Sequence, residues 1–212
     1  MANSIIIPAF NEEKNVSEVL KAIRILKDLF EILVIDDGSV DKTSDVVRSF
    51  GIPVYKLPKN QGKSYAMWVG LNMTNGDNIL FLDADLLGIK PEHINALVYP
   101  VEQDLADMTI GVFTSGRGVT DLAQKIAPYL SGQRCVKRNV LQKLEQSEWK
   151  CGFGIEIALT RLAKENKLRV LEVPLKNVSH TIKEEKLGLA KGTKARLKMY
   201  WEIAKEINKY LL

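Results

Sequence analysis

Three unbroken apolar runs, Ile5-Ile6-Ile7, Ile32-Leu33-Val34-Ile35 and Ile79-Leu80-Phe81-Leu82, punctuate the first part of the chain. Runs this short and this apolar predict strands buried on both faces of a parallel sheet. Between them the spacing changes. Val16, Val19, Leu20, Ile23 and Leu26 recur at helical intervals, predicting a helix capped by Asn15 with Glu18 as its capping-box partner. A second helix is expected from Asp41 or Thr43 through Phe50, a short strand over 53–56, and a third helix over 64–73. This alternation predicts parallel strands, right-handed crossovers and helices on both sheet faces.

The second half is less regular. A helix is expected over 91–99 with Pro91 in its first turn, a strand over 107–113, a loop over 114–118 and a helix over 120–129. A strand over 132–138 should run back beside the site, and glycine-rich 151–154 should precede a helix carrying Glu156. Another strand is expected over 169–173, in an extended segment ending at His180. A last helix, about 194–212, carries Leu197, Tyr200, Trp201, Ala204, Ile207 and Leu211 on one stripe. Trp68 and Trp201 lie on apolar stripes and read as core; Trp149 is left open between core and sugar stacking. There is no internal repeat or low-complexity tract.

Open parallel sheets bind ligands at the carboxyl ends of their strands. The polar clusters Asn11-Glu12, Asp36-Asp37, Lys59–Lys63 and Asp83–Asp85 all fall at such ends. Asp83 and Asp85 alternate, so both side chains leave the fourth strand on one side. Carboxylates held that close repel unless a cation sits between them. Asp-Ala-Asp alone more often marks a solvated turn than a metal holding a diphosphate; its place among four converging polar loops reverses that preference. A glycine-rich dinucleotide fingerprint is absent after the first strand. Gly62-Lys63-Ser64 mimics the end of a P-loop, but Leu57 stands where its first glycine belongs. Carboxylates plus a metal remain.

Composition narrows this further. A chain of 212 residues suits one domain, or one domain plus a small appendage. No apolar run approaches the roughly 20 residues that span a bilayer, and Met1-Ala2-Asn3-Ser4 enters a strand directly, so no secretory leader is expected. Cys135 and Cys151 are too few for a disulfide framework and too far apart for a metal knuckle. They read as reduced thiols of a cytoplasmic protein. Residues 183–198 hold six basic and two acidic side chains, the whole of the net charge of +4. That patch suits a solvated helix face, an anionic ligand or a membrane surface. The helix behind it packs on the sheet in the simplest reading. Its amphipathic face also suits the inner face of a membrane or a second copy of the chain. No nucleic-acid partner is expected.

Pro8-Ala9-Phe10-Asn11-Glu12, Val34-Ile35-Asp36-Asp37-Gly38-Ser39, Asn60-Gln61-Gly62-Lys63 and Phe81-Leu82-Asp83-Ala84-Asp85 together resemble the family 2 type of glycosyltransferase with the GT-A fold. The resemblance implies an α/β fold, Rossmann-like, with a mostly parallel central sheet, here over residues 1–182, followed by the basic segment and C-terminal helix of 183–212. It implies a nucleotide-diphosphate sugar as donor, UDP- or GDP-linked. Pro8, Ala9, Asn11, Glu12, Asp36 and Asp37 would line the base and ribose pocket. Gly62, Lys63 and Ala84 would lie near the nucleotide, with Asp83 and Asp85 facing ribose and the metal-bound diphosphate.

Further along, Gly116-Arg117-Gly118-Val119-Thr120-Asp121-Leu122, Gly152-Phe153-Gly154-Ile155-Glu156-Ile157 and His180 are similar to glucosyl-3-phosphoglycerate synthases and their relatives. That likeness implies His180 at the metal, and Gly116, Arg117 and Thr120 at a phosphoglycerate acceptor. Gly118 is an extra glycine in that loop, and Thr181-Ile182 replace polar groups after the histidine. Asp85 and His180, with Asp83 beside them, then read as ligands of Mg²⁺ or Mn²⁺, the nitrogen tilting toward Mn²⁺. Arg117, Arg134 and Lys63 are candidates for phosphate contacts. Glu156 is a candidate base or sugar-hydroxyl acceptor, or simply a helix N-terminal glutamate facing the dipole. Asp85, Glu156 and Arg134 are the catalytic candidates. The acceptor is expected to be a small anion such as a phosphoglycerate, with a polyprenyl phosphate as alternative. A sugar nucleotidyltransferase ranks below, because Pro8-Ala9-Phe10-Asn11 stands where its glycine- and arginine-containing loop is expected. A non-catalytic sugar-nucleotide binder would leave the aspartates, lysine and histidine without a task.

Overall fold

The structure is a computed structural model that describes residues 2–114, 131–150 and 154–180. Among these, seven strands form one sheet in the order β3-β2-β1-β4-β7-β6-β8. The first half follows the sequence expectation: β1 (Asn3–Ala9), β2 (Glu31–Asp36), β3 (Val54–Lys56) and β4 (Asn78–Phe81) are mutually parallel. They are joined by helices α1 (Val16–Ile23), α2 (Thr43–Ser49) and α3 (Lys63–Met73). Helix α4 (Pro91–Glu102) then leads to β6 (Met108–Phe113). Strand β7 (Arg134–Lys137) lies antiparallel between β4 and β6, and β8 (Val170–Leu175) runs parallel to β6. Helices α5 (Arg138–Leu141) and α6 (Ile155–Glu165) complete this half. Leu86–Leu87 (β5) and Ser179–His180 (β9) form a separate two-stranded sheet.

The double-sided burial inferred from the apolar runs is visible residue by residue. Ile5, Ile7, Ile32, Val34, Leu80 and Leu82 face one core with α1, α2 and α4. Ile6, Leu33, Ile35, Ile79 and Phe81 face the other, with α3 and α6. Alternate residues thus serve opposite layers of a three-layer stack, as the pleat dictates.

Several local expectations change. Asn15 occupies the N-cap of α1 without a side-chain cap bond; its amide donates instead to Glu12 Oε2 at 2.7 Å. The end of the first helix tightens into a 3₁₀ turn at Arg24–Leu26. Helix α4 continues past Tyr99 to Glu102 with Pro100 inside its last turns. The strand expected over 132–138 is shorter, and Arg138 begins a helix. Trp149 is core, 2 % exposed and 6.5 Å from the Phe81 ring, whereas Trp68 is half-buried against the second core. The helices expected over 120–129 and 194–212 lie outside the described residues. The chain divides into two compact units, Met1–Ser179 and His180–Leu212; the boundary falls inside β9, and His180 alone of the second unit is described. Among the described residues no helix is long and apolar enough to cross a membrane.

Candidate active site

The parallel register brings three loops to one edge of the sheet. Ala9 pairs with Asp36, and Ile6 with Phe81, so the segments after β1, β2 and β4 leave at nearly the same level. The first two are cross-linked. Asn11 adopts a left-handed backbone (φ 55°); its N–H donates to Ser39 Oγ at 2.9 Å and its Oδ1 accepts from Val40 N at 3.0 Å. Glu12 N–H donates to Thr43 Oγ1 at 2.8 Å, and Glu13 Oε2 accepts from Lys42 N at 3.0 Å.

Asp36 and Asp37, expected beside the nucleotide, also hold the loops themselves. Asp36 is fully buried and accepts from Ser39 N at 2.8 Å and from the Ser44 hydroxyl. Asp37 accepts from the backbone N–H groups of Gln61 and Gly62, both at 2.8 Å. Burial is the larger influence on its carboxyl and raises its pKa, although those two donors work the other way. Between the two aspartate-held turns lies Gly38, with φ 72°. A Cβ there would be 2.5 Å from the Lys59 carbonyl carbon, so the close approach of the 59–62 loop requires glycine. Pro8, Ala9 and Ala84 are buried; the Ala9 and Ala84 side chains belong to the first core, which turns Asp83 and Asp85 to the other side.

At the exit of β4, Lys63 Nζ lies 2.7 Å from Asp83 Oδ1 and 2.8 Å from Glu156 Oε1. Burial opposes the lysine charge, but Asp83 and then Glu156 outweigh it and hold the ammonium above its ordinary pKa. Gln133 Nε2 donates to the second Asp83 oxygen at 2.8 Å. Asp83, Asp85 and His180, all half-buried, each offer one ligand atom, and these atoms lie within 4.8 Å of one another. Two carboxylates and an imidazole fit a hard to borderline divalent cation such as Mg²⁺ or Mn²⁺. Both Asp83 oxygens already meet donors, Lys63 and Gln133, so a cation held here would share that carboxylate with them.

Arg134, a candidate phosphate contact on a strand beside the site, lies enclosed in the protein. It is 1 % exposed, faces the second core opposite Phe81 and Ile110, and donates to the Ser131 carbonyl at 2.9 Å and Thr160 Oγ1 at 3.2 Å. Burial lowers its pKa to about 10, with Glu156 partly opposing. Glu156 stands in the first turn of α6. Gly116, Arg117 and Thr120 lie outside the described residues. Ser131, Gly132 and Gln133 carry no motif in the sequence; a polar, glycine-containing step just before a buried strand was the available signal.

The family model for glycosyl transferase family 2 matches residues 4–169. The chain belongs to this family. Among curated members, glucosyl-3-phosphoglycerate synthase of Mycobacterium tuberculosis is 29% identical over 74% of this chain and 59% of its own length. The chain therefore spans well under two thirds of that relative. Undecaprenyl-phosphate 4-deoxy-4-formamido-L-arabinose transferase of Edwardsiella ictaluri is 28% identical over 89% of this chain and 63% of its own. Among solved structures, the M. tuberculosis synthase in complex with Mn²⁺, UDP and glucosyl-3-phosphoglycerate superposes with a TM-score of 0.74 at 28% identity, covering 85% of this chain and 72% of that one. Its complex with Mn²⁺, UDP-glucose and phosphoglyceric acid gives 0.73 at 26%, covering 85% and 71%. The mixed sheet flanked by helices in this family 2 member is that of the GT-A fold, as the sequence motifs implied.

Proposed function

We propose that this protein is a metal-dependent glycosyltransferase that moves a sugar from a nucleotide-diphosphate sugar, UDP-linked as in the M. tuberculosis complexes, to a small anionic acceptor such as a phosphoglycerate. The observation that carries this is the Asp83–Asp85–His180 group at the carboxyl end of β4, beside loops already locked into a cleft edge. Asp85 and His180 would hold Mn²⁺ or Mg²⁺. The bound cation would stabilise the negative charge growing on the leaving diphosphate as a Lewis acid. The chain's own residues do the rest. The loops after β1 and β2 present backbone, Asn11 and Glu12 groups to the base and ribose without having to order first, because the buried Asp36 and Asp37 already brace them, which lowers the entropy cost of binding. Lys63 offsets one of the two negative charges of Asp83 and Glu156, which lessens their repulsion of the donor phosphates. Glu156 offers its second oxygen to a sugar hydroxyl. Gly116, Arg117 and Thr120 remain the proposed acceptor contacts.

A second acceptor is supported by the undecaprenyl-phosphate relative together with the basic segment 183–198: a polyprenyl phosphate reached by peripheral membrane contact through that segment and the helix expected from the sequence of 194–212, the same stretch being available to a second copy. One experiment separates the two. UDP release is measured with UDP-glucose and Mn²⁺, in the presence of 3-phosphoglycerate or of undecaprenyl phosphate in vesicles. Mass spectrometry of glucosyl-3-phosphoglycerate supports the first reading, a lipid-linked sugar the second. No UDP-sugar or GDP-sugar binding in the presence of metal would falsify both.

A further inference from the structure

A closed circuit of hydrogen bonds and ion pairs runs beneath the site. Arg134 Nε donates to the Ser131 carbonyl at 2.9 Å, and Ser131 Oγ accepts from Gln133 N at 3.3 Å. Gln133 Nε2 donates to Asp83 Oδ2 at 2.8 Å, and Asp83 Oδ1 meets Lys63 Nζ at 2.7 Å. Lys63 meets Glu156 Oε1 at 2.8 Å. The Glu156 carbonyl accepts from Thr160 Oγ1 at 2.8 Å, one turn on in α6, and Thr160 Oγ1 accepts from Arg134 Nη1 at 3.2 Å, closing the loop. The backbone of Gly132 passes inside it: a Cβ there would press on Lys63 Nζ and stand 2.8 Å from both Asp83 oxygens.

Arg134 is a costly way to fill its position. Its register partners, Phe81 and Ile110, belong with Trp149 and Leu159 to the apolar second core. A leucine or methionine would pack there without desolvating a charge, and buried ionic groups are often replaceable by hydrophobes without loss of stability. The arginine also ties β7 to α6 by polar bonds, at a point where each of these flanks a partner of Lys63.

We propose that Arg134 is a positioning residue: it acts through Ser131–Gln133 on one arm and Thr160 on the other to hold Asp83 and Glu156 at a fixed separation around Lys63. It need not touch substrate. Outer partners of this kind typically change activity 10–100-fold when removed, because the reacting geometry tolerates little displacement. The proposal rests on the glycosyl-transfer reading for its kinetic consequence, but not for its structural one.

The test uses Arg134→Met, Gln133→Leu and the double variant. In kinetics, each single change is expected to lower kcat roughly 10–100-fold, with the donor KM within about twofold and the thermal midpoint unchanged or raised for Arg134→Met. The double variant should lose clearly less than the product of the two, since both cut one circuit. The activity-independent arm follows the Lys63 ammonium by ¹H–¹⁵N spectroscopy, assigned with Lys63→Arg. A slowly exchanging signal is expected in the parent chain and should broaden or vanish in Arg134→Met. An unchanged Lys63 signal in that variant, strictly multiplicative losses, or a loss confined to acceptor KM would overturn the proposal; the last would make Arg134 an acceptor contact. If the parent chain turns over no sugar nucleotide, the proposed function fails, while the Lys63 signal still decides the circuit.

Discussion

One sheet carries a cluster of two acids and two cations at each end, and the two clusters could hardly be used more differently. At the carboxyl end of β4, Lys63, Asp83, Glu156 and Arg134 are mostly enclosed, with side-chain exposures of 28%, 17% and 12% for the first three and 1% for the arginine residue. At the opposite end, Lys137, Asp104, Asp107 and Arg169 bind one another around the start of β6 and β8; Lys137 and Asp107 are each 19% exposed, but their partners Asp104 and Arg169 are 63% and 50% exposed. Coulomb energy at a given distance is several-fold larger in the enclosed set, and so is the cost of breaking it. The exposed set straps strand ends together. The enclosed set holds charge that a purely structural core would not contain, on the side where the polar loops converge.

The largest contrast should come from removing a charge that is meant for a ligand. Asp85→Ala is expected to lower sugar transfer on the order of 10²–10³-fold, the size typical of losing one electrostatic stabiliser of a transition state. The variant should still unfold in one cooperative transition, so that the loss reads on transfer rather than on folding. Steady-state UDP release beside a thermal melt checks both, and equal donor binding by wild type and variant with Mn²⁺ would remove Asp85 from the metal.

Lys63→Met attacks the same end from the other side. It leaves Asp83 and Glu156 without their shared cation in a half-buried place. Removing one partner of such a set costs about 3 kcal/mol, read as a lowered urea midpoint at constant m-value. A loss under about 0.5 kcal/mol, the range of ordinary surface changes, would mean that the enclosed cluster behaves like the exposed one.

This contrast was only half legible in the sequence. Ile5–Ile7, Ile32–Ile35 and Ile79–Leu82 announce buried strands because nothing polar interrupts them, and parallel pairing then forces the loops after them to one edge. Asp83 and Asp85 follow from the pleat. What lay hidden depends on contacts far apart in the chain. Strand β7 is four residues long and carries an arginine at a core-facing position, so its alternation reads as a half-exposed strand and its antiparallel place between β4 and β6 leaves no local trace. The two-residue strands β5 and β9 are too short for any periodicity. Asn15 has the right chemistry for a cap, yet Glu12 Oε2 takes its amide. Gln133 as a partner of Asp83 belongs to no motif. Asp36 and Asp37 belong at a strand end on sequence alone, but that their oxygens hold the Ser39, Ser44, Gln61 and Gly62 groups appears only once the loops are folded.

Gly132→Ala sharpens the comparison without removing any charge. The added methyl meets the tip of Lys63 and the Asp83 carboxylate rather than backbone; both can yield only by loosening their ion pair, so the thermal midpoint should fall, though by less than in Lys63→Met, which loses the charge altogether. The Lys63–Asp83 separation must widen all the same, and transfer should drop about 10-fold or more, since a displacement near 1 Å can cost up to 10²-fold. A variant as active as the parent would show that this pair is not held for function.

The smallest effect is expected at the far end. In the folded chain the Arg169 side chain, then Lys137, hold the Asp107 carboxyl well below its ordinary pKa of 3.8. A depressed carboxylate pKa stabilises the fold above the unfolded value and ceases to do so as pH falls below it. Asp107→Asn should therefore cost up to about 1 kcal/mol at pH 7, the upper range for pairs with a solvent-exposed partner, here Arg169 at 50% exposure. The gap from wild type should narrow in urea titrations run from pH 5 down to pH 3. Ions at about 1 M, where the screening length is near 3 Å, should shrink it too. Transfer at pH 7 should be unchanged, because the residue sits at the amino end of β6, across the sheet from every group proposed to meet the donor. Reduced transfer in this variant, at full stability, would mean that the two ends are coupled through β6 and β7.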